Sequence, residues 1–299
     1  MQTIIVEKTN NERVDSYLMN NTEYTRSKIQ KMLKNGNITI NNKLVKNSYN
    51  VKNGDVIEIN ELIQEEMSAV PEEMDLDIVY EDNDVIVVNK DNGVVVHPAI
   101  GNNHGTLVNG LLYHSKSLSS INGEFRPGIV HRIDAYTTGL LMVAKNDYAH
   151  EFLAQQLSNK TTTRKYWALV WGVINHDTGT IDAPIGRDAN DRKKMAVTDV
   201  NSKEAITHFK VLERYKDATL IELVLETGRT HQIRVHMQYI GYPIINDPVY
   251  GRKKIIDDSG QCLHAKTLGF IHPTTKEYME FDSELPTCFL NILNKFKNS

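Results

Sequence analysis

The feature that most constrains the fold is an acidic stretch that contains no basic residue. Between Asp55 and Asp84 the chain has twelve acidic residues and no Lys or Arg. Within it, Glu61 to Leu76 contains Pro71 and shows no convincing period, which is typical of a linker. A chain of 299 residues can hold one large domain and a small one. We therefore predict a small domain over residues 12–60, an acidic linker over 61–77 and a large domain over 78–290.

The charge is distributed unevenly on the two sides of this stretch. The formal net charge is −4, yet outside the acidic stretch 34 basic side chains stand against 26 acidic ones. From Asn20 to Asn53 there are seven basic residues and one acid, Glu23. A local basic surface of this kind is typical of RNA binding, although a solvated helix face gives the same pattern.

Several other classes of protein are disfavoured. The only two cysteines, Cys262 and Cys288, fit neither a disulfide framework nor a metal-ligand spacing, which favours a reducing cytosol. His231 and His236 are five residues apart and would not share one helical face, so we expect no metal site. The N-terminus lacks the apolar core of a signal peptide, and no apolar run approaches the roughly 20 residues of a membrane helix. We expect a cytoplasmic protein with no membrane association.

The small domain has clear local signals. Val14 to Met19 reads as a short helix, and Thr25 can cap a second helix from Arg26 to Lys34, which Gly36 is placed to end. The strands Ile38–Ile40 and Val56–Ile59 follow, with the turn pair Asn41-Asn42 after the first.

This arrangement resembles the S4 RNA-binding domain. The matching residues are Arg13-Val14-Asp15, Arg26-Ser27-Lys28, Gly36 to Asn41, Val45 and Gly54 to Ile57. The resemblance implies that the second helix and the hairpin hold folded RNA. Its expected RNA contacts are Arg26, Lys28, Lys31, Lys34 and Lys43. A generic small α+β cap remains the alternative.

The large domain reads as α+β with a mixed or antiparallel sheet, because strands alternate with long loops and occasional helices. The predicted strands are Val85–Val88, Tyr166–Val170, Ile206–Leu212 and Thr219–Leu225, and the predicted helices are Leu107–Tyr113 and His150–Leu157.

One acid in this domain stands out. Asp134 lies in an otherwise apolar segment, where an ionised carboxylate is costly unless it is paired. Arg229, in a polar turn after the strand Thr219–Leu225, is the best candidate for its partner. A paired carboxylate stays ionised at neutral pH and can act as a nucleophile or a base. A purely structural ion pair gives the same pattern.

Four polar segments, taken in order, are similar to the motifs of the RluA-type pseudouridine synthases. They are Val88–Gly93 with His97-Pro98, Gly128–Leu141, Arg164–Gly172 and Glu226–His236, and the resemblance spans about residues 78–286. The chain departs from the family at Ile133, commonly leucine, and at Thr138, commonly serine. It also departs at Asp91, commonly proline, which is expected to loosen that turn.

The resemblance implies a reaction and a set of roles. Asp134 would attack the target uridine or deprotonate its ribose, Arg229 would pair with Asp134, and Tyr166 would stack on the base. Arg132 would fill the space that the flipped base leaves. Apart from the resemblance, we expect His131 and His231 to be hydrogen-bonding supports of the site turns. No cofactor and no metal are expected, and the substrate would be RNA, either 23S rRNA or a pre-50S particle, bound by a monomer.

Two other functions stay open at this point. A non-catalytic RNA-binding or ribosome-assembly factor could retain the same fold, although it would be expected to lose Asp134, Tyr166 or Arg229. An unrelated hydrolase that uses Asp134 ranks last, because a nucleophile elbow and a second obvious catalytic carboxylate are missing.

Overall fold

The chain forms two compact units in a computed structural model, Met1–Glu66 and Met67–Ser299. The structure describes residues 2–7, 11–60, 69–98, 102–123, 126–191, 193–252 and 254–298, without the side chains of Ser27 and Lys31. The predicted small domain falls within the first unit and the predicted large domain within the second. Residues 61–68 of the predicted linker lie outside the described residues.

The first unit packs two helices against a small sheet. Its elements are β1 (Gln2–Ile5), α1 (Val14–Asn21), α2 (Arg26–Lys34), β2 (Ile38–Ile40), β3 (Lys43–Leu44) and β4 (Val56–Ile59). The described strands form an antiparallel sheet in the order β1-β4-β2-β3. Apolar side chains from both helices and from the sheet share one core.

The local signals of this unit produced the predicted elements. The Thr25 hydroxyl accepts a hydrogen bond from the Lys28 backbone N–H at 3.4 Å at the start of α2. Gly36 has a φ of 77° and lets the chain leave the helix, while the Asn37 N–H donates to the Met32 carbonyl at 2.9 Å. Asn41 and Asn42 both have positive φ, as a tight hairpin turn requires.

The second unit is built on one large mixed sheet with helices beside it. Its elements are β5 (Ile78–Glu81), β6 (Val85–Lys90), α3 (Leu107–His114), β7 (Thr138–Ala144), α4 (Asp147–Ser158), β8 (Thr163–Trp171), β9 (Thr178–Asp182), β10 (Ile185–Arg187), β11 (Met195–Val197), β12 (Ile206–Arg214), β13 (Ala218–Leu225), α5 (Gln232–Tyr239), β14 (Leu263–Ile271), β15 (Tyr278–Asp282) and α6 (Thr287–Lys297).

The sheet order brings distant parts of the sequence together. The described strands run β5-β6-β7-β14-β8-β13-β12-β9, with β15 paired to β14, and β10 and β11 form a separate hairpin. Strands β7 and β14 are parallel, whereas the other pairs that the structure describes are antiparallel. The predicted α+β class with a mixed sheet is confirmed.

Gly139 allows the close approach of β7 and β14 at the centre of the sheet. Its φ is 107°, and a Cβ atom there would lie 2.3 Å from the Ala265 carbonyl oxygen. A side chain at this position would therefore separate the two strands next to the site loop that precedes β7.

Residues 69–77 of the predicted linker belong to the second unit and pack against the rest of it. Ala69 is buried in the core, and the Val70 carbonyl accepts a hydrogen bond from the Asn109 side chain at 2.7 Å. The Glu72 N–H donates to the Asn109 carbonyl at 3.0 Å. Irregular backbone can pack in this way when polar groups of a neighbouring helix satisfy it, which composition does not reveal. No helix in the described ranges has the length and apolar character needed to cross a membrane.

Candidate active site

Asp134 lies in the loop that leads into β7, with 19% of its side chain exposed. The Asp134 carbonyl accepts a hydrogen bond from the Thr137 N–H at 3.1 Å, which closes a turn. The buried Lys90 ammonium anchors the same loop, since it donates to the carbonyls of Ala135, Asp91 and Val94 at 2.7, 2.7 and 2.8 Å. Burial outweighs the attraction of Asp134 and Asp91 and lowers the pKa of Lys90 to about 7. The first and second polar segments therefore meet at this lysine.

Arg234, on α5, is the ion-pair partner of Asp134. Its Nη1 donates to Asp134 Oδ2 at 2.8 Å, and its Nε and Nη2 donate to the two oxygens of Asp247 at 2.7 and 2.9 Å. Only 6% of the Arg234 side chain is exposed. Burial alone would lower the pKa of Arg234, but Asp247 and Asp134 together outweigh it and raise the pKa. One guanidinium thus bridges two carboxylates and fixes the orientation of Asp134.

The predicted pair between Arg229 and Asp134 is wrong. Arg229 Nε instead donates to the Glu204 carbonyl at 2.8 Å, although Arg229 lines the same pocket. The turn that carries Arg229 leaves the sheet before α5 begins, whereas Arg234 sits on the buried face of the helix. A signal for Arg234 was present in the sequence, because it lies between Ile233 and Val235 and needs a buried partner as Asp134 does.

Asp247 fixes Arg234 from the side opposite Asp134. Its Oδ1 also accepts hydrogen bonds from the backbone N–H groups of Val249 and Tyr250 at 2.8 and 2.9 Å. Burial would raise the pKa of Asp247, but Arg234 and these N–H groups hold it below its usual range. Asp247 supports the site from the stretch around Tyr250 and Gly251, although no catalytic role was predicted for it.

The second oxygen of Asp134 faces His231. His231 Nε2 lies 3.8 Å from Asp134 Oδ1, which is too long for a hydrogen bond. The Tyr250 hydroxyl accepts the Met195 N–H at 2.8 Å and lies 2.8 Å from His231 Nδ1, so a hydrogen bond to Tyr250 holds the imidazole ring beside Asp134. His231 has a φ of 57° and directly precedes α5, and its supporting role stays a prediction.

Tyr166 borders the same pocket from the centre of the sheet. It lies on β8, between Ala265 of β14 and Leu223 of β13, and is 7% exposed. Burial, with Asp134 nearby, raises the pKa of Tyr166, so the phenol is protonated at neutral pH. It therefore presents a neutral aromatic ring to the pocket.

Arg132 is exposed, and its guanidinium is hydrogen-bonded to a buried histidine. Its Nη1 lies 3.1 Å from Nε2 of His97, which must accept because a guanidinium can only donate. Burial, with Arg132 and Arg126 nearby, lowers the pKa of His97 to about 4, so the ring is neutral at pH 7.

Two further histidines support the site loop. His131 Nε2 accepts the Met142 N–H at 3.1 Å, which ties the loop to β7. His264 on β14 lies 2.8 Å from the Thr138 hydroxyl and 2.9 Å from the Ser283 hydroxyl. Burial lowers the pKa of His264 to about 4. The supporting role predicted for His131 is consistent with this geometry.

One pocket of about 490 Å³ is lined by His131, Arg132, Asp134, Tyr166, His231 and Arg234. Its charged lining residues are Asp134 and Glu226 against Arg132, Lys160, Arg164, Arg229 and Arg234. A cavity with an aromatic wall, one oriented carboxylate and an excess of cations suits an anionic polymer that inserts a base.

Each of the two units matches a known protein family. Residues 84–239 match the family model described as RNA pseudouridylate synthase, and residues 21–57 match the S4 domain. An uncharacterized RNA pseudouridine synthase of Bacillus subtilis is 54% identical over 98% of this chain and 97% of its own length. The ribosomal large subunit pseudouridine synthase D of Pseudomonas aeruginosa is 43% identical over 91% of this chain and 88% of its own.

The chain belongs to the RNA pseudouridylate synthase family. Its fold agrees with a solved member, human RNA pseudouridylate synthase domain containing 1, at a TM-score of 0.59 and 26% identity, covering 75% of this chain and 96% of that one. The enzyme class and the RNA substrate predicted from the sequence are confirmed.

In this pseudouridine synthase the S4 domain carries the predicted basic residues. Lys28, Lys34 and Lys43 are exposed, and Lys28 Nζ lies 4.3 Å from the centre of the Tyr24 ring. Arg26 is half exposed and donates to the buried Asp15 at 3.3 Å, so part of its charge is already paired. The Lys31 side chain lies outside the described residues.

A buried carboxylate organises the start of this basic surface. Asp15 accepts hydrogen bonds from Arg13 at 3.0 and 2.9 Å and from Gln30 at 2.8 Å. Burial would raise the pKa of Asp15, but its bonds to Gln30, Arg13 and Arg26 lower it. Lys34 also lines a groove in this unit with Arg13 and Lys46.

No group of three or more His, Cys, Asp or Glu side chains in the described part of the chain is arranged to hold a metal ion. The absence of a cofactor stays a prediction.

Proposed function

We propose that this protein isomerises uridines of large-subunit ribosomal RNA to pseudouridine, with Asp134 as the reacting carboxylate. The observation that carries the proposal is the geometry of Asp134. Arg234 occupies its Oδ2, no described residue hydrogen-bonds its Oδ1, and Asp134 lines the same pocket as the neutral ring of Tyr166. An ionised carboxylate with one free oxygen can attack the ribose or the base, or remove a ribose proton.

The reaction needs no outside reagent, because product and substrate are isomers. The bond from N1 of uracil to C1′ of ribose breaks, the base turns, and C5 joins C1′. The C5 proton leaves, and N1 takes up a proton. The buried, protonated Tyr166 would serve as a platform for the detached base, since aromatic stacking is worth about 1–3 kcal/mol per base.

The target uridine must leave its helix or loop before Asp134 can reach it, at a cost of a few kcal/mol. Arg132 would enter the vacated space, and the neutral His97 would hold the guanidinium ready. Arg229 would contribute to RNA contacts at the rim of the pocket, because its side chain lies there without an ion pair to Asp134.

The substrate class rests on the relatives and on the S4 domain. The Pseudomonas aeruginosa relative is named for the large ribosomal subunit, and the S4 domain offers exposed lysines to folded RNA. We propose a cytoplasmic monomer that acts on 23S rRNA, either free or in a pre-50S particle.

The test is release of tritium from transcripts that carry uridine labelled at C5, with 23S RNA compared with small-subunit RNA. We expect the wild type to release tritium from 23S RNA alone, and Asp134→Asn to lose at least about 10³-fold in rate while still binding RNA. Release by Asp134→Asn at the wild-type rate would show that another group reacts. Binding of RNA without release by the wild type would favour an assembly factor.

A further inference from the structure

Arg164 is a buried cation that the proposed mechanism does not use. It lies on β8 two residues before Tyr166, and the alternation of buried positions puts both side chains on the same face of the strand. Only 8% of Arg164 is exposed, yet it lines the pocket that holds Asp134.

No described residue accepts a hydrogen bond from the Arg164 guanidinium or forms an ion pair with it, and its Nε is fully buried. The other cations of the pocket have such partners. Lys160 binds Glu204 and Glu226, and Arg234 binds Asp134 and Asp247. A buried polar group without an acceptor is costly, and the terminal nitrogens of Arg164 are not fully buried, so an acceptor that enters the pocket can reach them.

Two neighbours of Arg164, His131 and Gly228, supply no side-chain acceptor. The His131 Nε2 already accepts the Met142 N–H, so the remaining ring nitrogen of the neutral imidazole carries a proton. Desolvation and the charge of Arg164 lower the pKa of His131 to about 3. Gly228 lies directly against the guanidinium, since a Cβ atom there would meet Arg164 Nη1 at 3.0 Å, so this neighbour brings no side-chain acceptor.

We propose that Arg164 binds a phosphate oxygen of the target nucleotide itself. This inference rests on the proposed function, because it assumes that uridine enters the Asp134 pocket. Phosphate is the anionic group of RNA, and the planar fork of arginine matches two of its oxygens. Positions i and i+2 of a strand are about 6.7 Å apart. A single nucleotide can therefore place its base against Tyr166 and its own phosphate against Arg164.

The experiment compares uridine, uridine 5′-monophosphate and uridine 3′-monophosphate as ligands of the full-length protein, by ligand-observed NMR titration. Because these ligands are not base-paired, they bind without a flipping cost. We expect the wild type to bind one of the two monophosphates about tenfold more tightly than uridine. Arg164→Met should bind uridine as before and lose that preference, whereas Arg164→Lys should keep part of it.

Lys160→Met is the matched control, because Lys160 borders the same pocket with its charge already paired, and it should keep the preference. Persistence of the preference in Arg164→Met would overturn the proposal. Equal affinity of the wild type for all three ligands would also overturn it. An equal loss of affinity for uridine and both monophosphates in Arg164→Met would overturn it too, because it would mean that the guanidinium contacts the base. The melting temperature of each variant shows whether it is folded.

Failure of tritium release would refute the proposed function while leaving this binding result intact.

Discussion

The cations of the S4 domain and the cations of the active-site pocket are held in opposite ways. Lys28, Lys34 and Lys43 lie exposed on the first unit, and the structure gives Lys28 a contact with an aromatic ring. In the pocket, Arg234 is almost fully buried and donates to two carboxylates. Exposed lysines can supply charge to an RNA backbone in many orientations, whereas a buried arginine has one orientation and imposes it on Asp134.

This difference separates the residues that set RNA affinity from those that set the reaction rate. Interactions of exposed cations with phosphates are screened by salt and carry little sequence information. Buried pairs are screened much less, but the loss of one partner leaves an uncompensated charge in the core. Changes in the first unit should therefore alter RNA binding gradually, and changes in the pocket should alter stability and rate abruptly.

The largest effect is expected from replacing Arg234, which pairs with Asp134 in the structure, and it is compared with replacing Arg229, the partner predicted from the sequence. Arg234→Met leaves Asp134 and the buried Asp247 without their cation, which should lower the free energy of unfolding by about 3–5 kcal/mol. Arg229→Met removes a hydrogen bond to a carbonyl and should cost about 1 kcal/mol. Urea unfolding measures both, and tritium release should fall much further for the first variant.

Equal losses of rate in the two variants, with both folded, would mean that Arg229 engages Asp134 when RNA is bound. Arg234→Lys is the matched control, because it keeps the charge but cannot bridge two carboxylates with a planar fork. We expect it to retain more stability than Arg234→Met.

A medium effect is expected from acid, because the second unit contains buried neutral histidines. The pKa values of His97 and His264 are lowered to about 4, mainly by burial, from an ordinary value of 6.5. Between those values the unfolded chain binds more protons than the folded one, so stability falls as the pH falls from 6.5 toward 4. At pH 5 each histidine should cost about 2 kcal/mol relative to neutral pH.

His264→Gln tests this expectation, since glutamine cannot take up the proton but can hydrogen-bond Thr138 and Ser283. The loss of stability between pH 7 and pH 5, measured by urea unfolding, should be about 2 kcal/mol smaller in the variant than in the wild type. An unchanged pH dependence would show that His264 is not protonated on unfolding in this range, and that its burial does not make the second unit sensitive to acid.

The smallest effect is expected in the S4 domain. Replacing Lys28, Lys34 and Lys43 together by glutamine should weaken binding of 23S RNA about tenfold at 0.15 M salt, and the slope of log K against log salt should shrink by about 2. The rate at saturating RNA should be unchanged. The same three positions replaced by arginine retain the charge and should retain both the affinity and the slope. A loss of rate at saturation would mean that these lysines position the RNA and do not merely attract it.

Local structure followed from the sequence wherever a cap, a turn or a period specified it. Helix α2 runs from Arg26 to Lys34 as predicted, because Thr25 and Gly36 mark its two ends. The prediction was weaker where pairing over long sequence distances decides the element. Strand β14 (Leu263–Ile271) is buried along nearly its whole length between β7 and β8, and a short apolar run alone does not tell a buried strand from a helix.

The sequence by itself determined the family, the two kinds of domain and the carboxylate that needs a partner, because these depend on residue types in order. Only the tertiary structure decided which arginine pairs with Asp134. Arg229 and Arg234 are five residues apart in one segment, and both are 95 residues or more from Asp134 along the chain. The chain turns at His231 and begins α5, which points Arg234 into the core and leaves Arg229 at the Glu204 carbonyl. A choice between two like charges depends on the direction of each side chain in space, and spacing along a sequence does not contain that direction.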